Sequence, residues 1–565
     1  MNHSQPTQSA HTSTAKVGFK TQVQTEILAG TYQADPLSLF AQLTRDKHHC
    51  LLLESAEISD KRALKSILLI DTSLKLECHG NRVDLFALTN DGQTLLEALK
   101  VYFGGDAFKN IIDVEDNLAT ANIPNHCLGQ CHLVFSAPDS TLDEASRLLA
   151  SNPFQVLRVL QNMAPDSASP YATFLGGAFA FDLISVSEDL PEVANSANQC
   201  PDYVFYLAQS LVLIDHQQQS TEFIANCFTE SESLQVKQSL IELHQQCEQL
   251  ALPGTDGSGK AGADGEVNEL PVCVNVSDDE FCQQVEALKE HIRAGDIFQV
   301  VPSRTFSIEC PDTVQAYRQL KKTNPSPYMF YLKDESFELF GASPESALKF
   351  TASNRQVELY PIAGTRGRGF RRDGSYSADL DGRIELELRN DVKEKAEHLM
   401  LVDLARNDIA RVSDGGTRHV AELLKVDRYS HVMHLVSRVI GTLQPQLDAL
   451  HAYQACMNMG TLSGAPKVRA TELIRQFEGE RRGSYGGAVG YLNGDGDMDT
   501  CIVIRSAFVQ DNTAHIQAGA GVVYDSDPQA EADETRQKAQ AVIRAIQLAN
   551  KVNRTQSKDG SGEKA

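Results

Sequence analysis

The sequence predicts an α+β fold, a large two-part structure of antiparallel β-sheets flanked by helices. Three observations carry this reading. Apolar strand-like runs such as "SILLID" and "YVFYLAQSLVLID" mix with helical runs such as "EASRLLASNPFQVLRVLQNM". Short strands are joined by turn signals such as "NGDG", which marks a hairpin. The strict strand–helix alternation of a doubly wound sheet is missing.

Along the chain, residues 1–16 ("MNHSQPTQSAHTSTAK") lack the apolar core of a signal peptide and are expected to be a disordered tail. Residues 17–252 form the first part. Residues 253–269 ("PGTDGSGKAGADGEVNE") are rich in Gly, Ser and Asp and too poor in apolar surface to fold, which predicts a flexible linker or loop. Residues 270–550 form the second part, where the helix "DDEFCQQVEALKEHIRAGD" runs into the strand "IFQVVPSRTFSI". Residues 551–565 read as a second tail. No repeat at solenoid period is present.

The 565 residues are 42% hydrophobic and 22% charged, the proportions of a globular protein with ample core. With 51 basic and 75 acidic residues the net charge is −24, which opposes non-specific binding to nucleic acid and to anionic membranes. No run is long enough to span a bilayer. Twelve scattered cysteines predict reduced thiols and a cytoplasmic location. In "HCLGQCH" the Cys127 and Cys131 spacing admits zinc, but no second cysteine pair follows at finger spacing, so zinc is the weaker reading. Tryptophan is absent.

The glycine motifs do not make a nucleotide site. "GTRGRG" (364–369) and "GAG" (519–521) lack the strand–helix setting of a dinucleotide fingerprint, and "GTLSGAPK" (460–467) lacks the spacing of a P-loop. Turns, or close backbone approach to an anionic ligand, are the two readings. "DGDMDT" (495–500) departs from a calcium loop at its sixth and twelfth positions and reads as a hairpin turn.

The carboxylates say more. In "EKAEHLMLVDLARND" Glu394 and Glu397 are three apart, hence on one helical face; in "DPQAEADETRQKA" Glu531 and Glu534 repeat the spacing. Two such helices converging would suit one hard cation, and Mg²⁺ better than zinc, since neither thiolate nor paired histidine accompanies them. Capping of the first helix by Asp391 with Glu394, and an i,i+4 pair between Glu534 and Lys538, explain the same residues without a metal. Spacing leaves both readings open. Asp403, inside an apolar run, is expected to have a partner in the core.

In order along the chain, "FQVVPSR", "GASPES", "YPIAGTRGRG", "AEHLMLVDLARND", "VMHLVSRV", "GTLSGAPK", "YGGAVGYL" and "QAGAGVVYDSDPQAEADETRQKA" resemble the chorismate-utilising enzymes, and among them the large-subunit (component I) anthranilate synthases. They span Phe298 to Ala539. The resemblance implies the chorismate-binding fold for residues 270–550 and Mg²⁺ as cofactor, held by Glu397 and Glu534 with Glu394 and Glu531 beside or behind them. It implies chorismate binding by Gly364, Thr365, Tyr485, Arg505, Lys538 and the N–H groups of Gly519, Ala520 and Gly521. Glu345 is implied as general acid and His434 as the residue serving pyruvate elimination. His398 is implied either as catalytic or as a partner of the metal site. "LLLESAEI" (51–58) and "NPSPYMFYL" resemble the tryptophan site of feedback-inhibited members, placing the inhibitor on Ser55, Pro327, Tyr328 and Met329 and making residues 17–252 a regulatory domain.

Two positions choose among the members. Water-adding relatives carry a lysine base where this sequence has Gln299, and glutamine cannot deprotonate water. Aminodeoxychorismate synthases read "PIKGT" where Ala363 stands here. Free ammonia is then the expected nucleophile, and anthranilate and pyruvate the products. No glutaminase motif occurs in the chain, so the resemblance implies a glutamine amidotransferase partner, two copies of each in a heterotetramer. The alternatives are an aminodeoxychorismate synthase and a catalytically inactive tryptophan-binding protein.

Overall fold

The computed structural model describes residues 19–56, 63–115, 123–136, 142–250, 270–371, 373–429 and 432–559. The expected tail at 1–16 and the expected linker at 253–269 lie outside them. The final helix, Pro528–Asp559, continues past the boundary expected at residue 550.

Two antiparallel sheets form the centre. In spatial order the first contains Gln24–Gly30, Ser220–Cys227, one half each of the long strands Tyr203–Asp215 and Ala63–His79, then Cys50–Ala56, Tyr328–Lys333, Glu338–Ser343, Ser506–Gln510, Thr513–Gly519, Ser303–Glu309 and Cys273–Val274. The second contains Ile112–Glu115, Gly129–Phe135, Arg82–Ala87, the other halves of the two long strands, Leu175–Phe179, Ala488–Leu492, Met498–Ile502, Ser346–Thr351, Gln356–Leu359 and Val432–Thr442. Ile362–Gly367 and His419–Arg428 pair with Val432–Thr442 as well. Register shifts around Leu69 to Leu74 mark where the long strands pass between sheets, the usual place for a bulge.

Alternation along each strand sends one face inward. Leu69, Ala178, Val204, Phe330, Leu339 and Phe508 form a core whose members come from strands of both sheets and both halves of the sequence. Helices cover the outer faces: Pro36–Leu43, Ser233–Leu250, Thr313–Thr323 and Pro528–Asp559 contribute to the core outside the first sheet. Backbone pairing of Cys50–Ala56 with Tyr328–Lys333, and of Leu175–Phe179 with Ala488–Leu492, knits the two sequence halves into shared sheets. The expected hairpin at "NGDG" is present, with Gly496 at φ 91° between two paired strands.

A buried charge network reinforces the junction. Lys75 Nζ lies 2.8 Å from Asp334 and 2.9 Å from Glu77, and the Tyr206 hydroxyl donates to Asp334 at 2.6 Å. Burial raises the Asp334 pKa, but Lys75 and His49 outweigh it and hold the carboxyl well below its usual range.

Helix Val392–Ala410 begins where Asp391 accepts the Glu394 N–H. It buries His398, Leu401, Val402, Ala405, Asp408 and Ile409. The expectation of a core partner for Asp403 is corrected: it faces solvent and pairs with Arg406 at 2.6 Å. The buried acid of this helix is Asp408 instead, 2.8 Å from Lys467 of the "GTLSGAPK" segment. Position in the helical turn decided which aspartate is solvated.

Candidate active site

One cavity gathers most of the residues singled out from the sequence: Glu345, Gly364, Thr365, Glu397, His434, Tyr485, Arg505, Gly519, Gly521, Glu534 and Lys538 all line it. Helix Val392–Ala410 packs on Ile362–Gly367 and brings Glu397 in. The first turns of Pro528–Asp559 bring Glu534 and Lys538 from another side.

Glu397 is pushed up to about 7, first by burial and then by the negative charges of Glu394 and Glu534. Its Oε1 accepts from Gln299 Nε2 at 3.0 Å. Glu534 lies 2.7 Å from Lys538 Nζ. Glu394 and Glu531 are absent from the cavity wall, and Glu394 pairs with Arg366 at 2.6 Å. Among the described residues no group of three or more His, Cys, Asp or Glu side chains is gathered as for a metal ion, and that includes Cys127 and Cys131. Cys131 is buried within the strand Gly129–Phe135.

Glu345 and His434 have opposite electrostatic settings. Burial pushes the Glu345 carboxyl up to about 8, although Thr461 Oγ1 donates to it at 3.0 Å. Burial, and then the charge of Arg505, push His434 down to about 4. Thr365 stands opposite His434 in the strand pair, with its Oγ1 2.9 Å from Nδ1. Near neutral pH the carboxyl therefore holds a proton and the imidazole can accept one, a complementary acid and base in one cavity.

Arg505 takes φ 51° between two strands, and its Nη1 donates to the Lys538 carbonyl at 3.2 Å. Lys538 Nζ donates to the Gly519 carbonyl at 3.0 Å. The row of three N–H groups expected at Gly519 to Gly521 is not fully available. The Ala520 N–H donates to Pro302 at 3.1 Å, and Ala520 is off the cavity wall. Strand pairing of Ser303 with Gly519 draws this backbone into the sheet.

His398 also stands behind the wall. It is fully buried, with Nε2 2.7 Å from Ser437 Oγ, so it fastens its helix to the strand Val432–Thr442. Sequence reasoning missed Thr461 and Arg482. The Arg482 guanidinium is buried and donates to the carbonyls of Leu462 at 2.8 Å and Val301 at 2.7 Å, two residues of the cavity wall. Arg482 also pairs with Glu478, four residues before it, a spacing visible in the sequence; its carbonyl partners, distant along the chain, are signalled by no motif.

A second predicted group also assembles, outside the cavity. Ser55 stands opposite Tyr328, Glu54 stands opposite Met329, and the Ala56 N–H donates to Pro327 at 2.9 Å.

Comparison with known proteins identifies a family and its members. The family described as chorismate binding enzyme matches residues 122–544. Anthranilate synthase component 1 of Vibrio cholerae is 55% identical over 524 residues, covering 92% of this chain and 95% of that protein. The Escherichia coli protein of the same name is 52% identical over 530 residues, covering 93% and 97%. The crystal structure of anthranilate synthase component I from Streptococcus pneumoniae aligns with a TM-score of 0.64 at 29% identity, over 85% of this chain and 92% of that one. The menaquinone-specific isochorismate synthase of Escherichia coli shares the fold, with a TM-score of 0.62 at 15% identity over 94% and 96%. This chain belongs to the chorismate-binding enzyme family, among its anthranilate synthase component I members.

Proposed function

We propose that this chain converts chorismate and ammonia to anthranilate and pyruvate, the first committed chemistry of tryptophan synthesis. The observation that carries the reading is the meeting of a protonated Glu345 and a neutral His434 in one cavity with the cations Arg505 and Lys538. Arg505 and Lys538 supply positive charge for the two carboxylates of chorismate inside a chain of net charge −24. Glu345 donates its proton to the departing C4 hydroxyl as ammonia bonds to C2. His434 then accepts the C2 proton as the C3–O bond breaks with its electron pair, the ring becomes aromatic, and the departing enolpyruvate takes up one proton at its methylene carbon to become pyruvate.

Two carboxylates from different helices, one of them, Glu397, raised in pKa by burial, by Glu394 and by the charge of the other, fit a hard divalent cation whose remaining positions are taken by water and substrate. Glu397 and Glu534 would hold Mg²⁺, which when bound neutralises a substrate carboxylate. Glu394 and Glu531 support the two ligands from outside the wall.

The family likeness supports delivery of ammonia by a glutamine amidotransferase subunit, two of each chain forming a heterotetramer, and the sequence carries no glutaminase motif of its own. The facing of Ser55 with Tyr328, beside Pro327 and Met329, supports a tryptophan site for feedback inhibition. Twelve cysteines without a disulfide among the described residues support a cytoplasmic protein, and no described helix is long and apolar enough to cross a membrane.

Incubating the purified chain with chorismate, Mg²⁺ and ammonium salt at alkaline pH tests this directly. Anthranilate fluorescence with stoichiometric pyruvate is expected. An aminated, non-aromatic product would move the chain to aminodeoxychorismate synthesis, and no turnover would refute the enzyme reading.

A further inference from the structure

Glu345, Leu401 and Thr461 line the substrate cavity, and the same three line a second, smaller cavity behind it. The first has a volume of about 160 Å³ and the second of about 30 Å³. A water needs roughly 10–15 Å³, so the smaller cavity has room for one or two waters and is too small for the substrate. A buried water also takes two to four polar partners. Polar residues of this wall include Glu345, Thr461 and Asp408, the last paired with Lys467 at 2.8 Å.

The rest of the small cavity is apolar. Ala405 is buried in its wall, and Leu404 stands at a partly exposed rim. Leu404 rests on Gly460, where a Cβ would come within 2.3 Å of its Cδ2. The small cavity thus leads from Glu345 toward the surface without crossing the substrate. Glu345 itself is only 6% exposed, and in the amination reading the ring occupies the space on its other side through both half-reactions. Between the two cavities, Thr461 Oγ1 donates to Glu345 Oε1 at 3.0 Å. A hydroxyl has one hydrogen and two lone pairs, so Thr461 can take a proton from a water as it passes its own to the carboxylate.

We propose that the small cavity is the proton-return path of Glu345: water held there protonates the spent carboxylate through Thr461 and is itself resupplied from solvent. The proposal rests on the amination reading above and gives its acid a means of recovery. In amination the ammonia lone pair forms the N–C2 bond, the ring π electrons shift, and the C4–O bond breaks with its electron pair. The oxygen takes the Glu345 proton and leaves as water. The Glu345 carboxylate then takes the Thr461 proton, and the Thr461 oxygen takes one from the cavity water, which regains one from solvent. Chorismate, ammonia and one solvent proton thus give water and a product bearing an ammonium group. That proton returns to solvent once the ring is aromatic, because an amine on an aromatic ring is too weak a base to hold it.

The test is Ala405→Val, which fills the small cavity at a residue absent from the substrate cavity wall. The variant is mixed rapidly with chorismate, ammonium and Mg²⁺ near neutral pH, where Glu345 starts protonated. The first turnover should stay within threefold of the unaltered chain. Later turnovers should be at least tenfold slower, which gives a burst of one anthranilate per site, and D2O should slow them more than it slows the unaltered chain. Pyruvate release from supplied 2-amino-2-deoxyisochorismate, which rests on His434, should stay within threefold over many turnovers. Adding Leu404→Ala, which widens the rim, should restore steady turnover to within threefold. Steady turnover unchanged by Ala405→Val would overturn the proposal. So would a first turnover slowed as much as the later ones, since that is the mark of a damaged site. If the unaltered chain forms no anthranilate from chorismate and ammonium, the functional reading falls first and the proposal with it.

Discussion

Ser55 and Tyr328 face each other on neighbouring strands, and Tyr328 faces Ser343 on the next. Ser343 Oγ accepts the Glu345 N–H at 3.3 Å. One row across the sheet therefore joins the proposed inhibitor position to the acid in the cavity.

That row makes Ser55 the place to separate regulation from catalysis. Ser55→Phe should raise the tryptophan concentration for half-inhibition at least tenfold while leaving uninhibited turnover within about twofold. Inhibition curves with and without the substitution decide it, and coincident curves would remove Ser55 from the site.

The two carboxylates on the wall predict a metal dependence. Glu397→Gln and Glu534→Gln should each lower Mg²⁺-dependent turnover at least a hundredfold while circular dichroism stays unchanged. Undiminished turnover at limiting Mg²⁺ would refute the ligand assignment.

His434 is pushed down to about 4 by burial and by Arg505, and the proposed mechanism gives it the second step. His434→Met should slow elimination more than amination, so the aminated intermediate accumulates and is seen by chromatography of quenched reactions. Equal slowing of both steps would place His434 elsewhere in the mechanism.

Glu345 predicts a pH-dependent trade between stability and activity. Its pKa rises from the model-peptide value near 4.5 to about 8 in the fold. Below 4.5 the carboxyl is protonated whether the chain is folded or not, and no penalty exists. As pH rises toward 8 the unfolded chain ionises and the folded one does not, so stability falls, by at most about 5 kcal/mol. Glu345→Gln removes that penalty. It should raise the thermal midpoint at pH 8.5, with a gain that shrinks toward pH 5, and abolish amination. A gain independent of pH would mean that packing, not ionisation, is responsible.

The network at Lys75 predicts the reverse. Lys75→Met leaves Asp334 and Glu77 buried without their cation, a loss of ~3–5 kcal/mol for a broken buried pair. The thermal midpoint should fall by several degrees, whereas a shift under one degree would show the network to be dispensable.

Much of the site was legible in the sequence because its chemistry is carried by short segments. The E-x-x-E spacing places Glu394 with Glu397 and Glu531 with Glu534 on shared helical faces, and the structure brings one member of each pair into the cavity. Spacing does not say which member enters; the resemblance implies Glu397 and Glu534, and those are the two on the wall. Entry depends on how each helix is rotated against its sheet, and Arg366 draws Glu394 away. The same rotation put Asp403 in solvent and Asp408 in the core.

By itself, then, the sequence determined the α+β class, the family and the residue types that could meet, since periodicity and ordered motifs are local properties of the chain. Only the tertiary structure decided that residues 17–252 and 270–550 share their sheets, because strand pairing between Cys50–Ala56 and Tyr328–Lys333 is a long-range choice. It also decided that His398 and Ala520 stand behind the wall and that Glu345 faces two cavities. Orientation and hydrogen-bond satisfaction depend on neighbours far away in the chain, and no spacing within a motif encodes them.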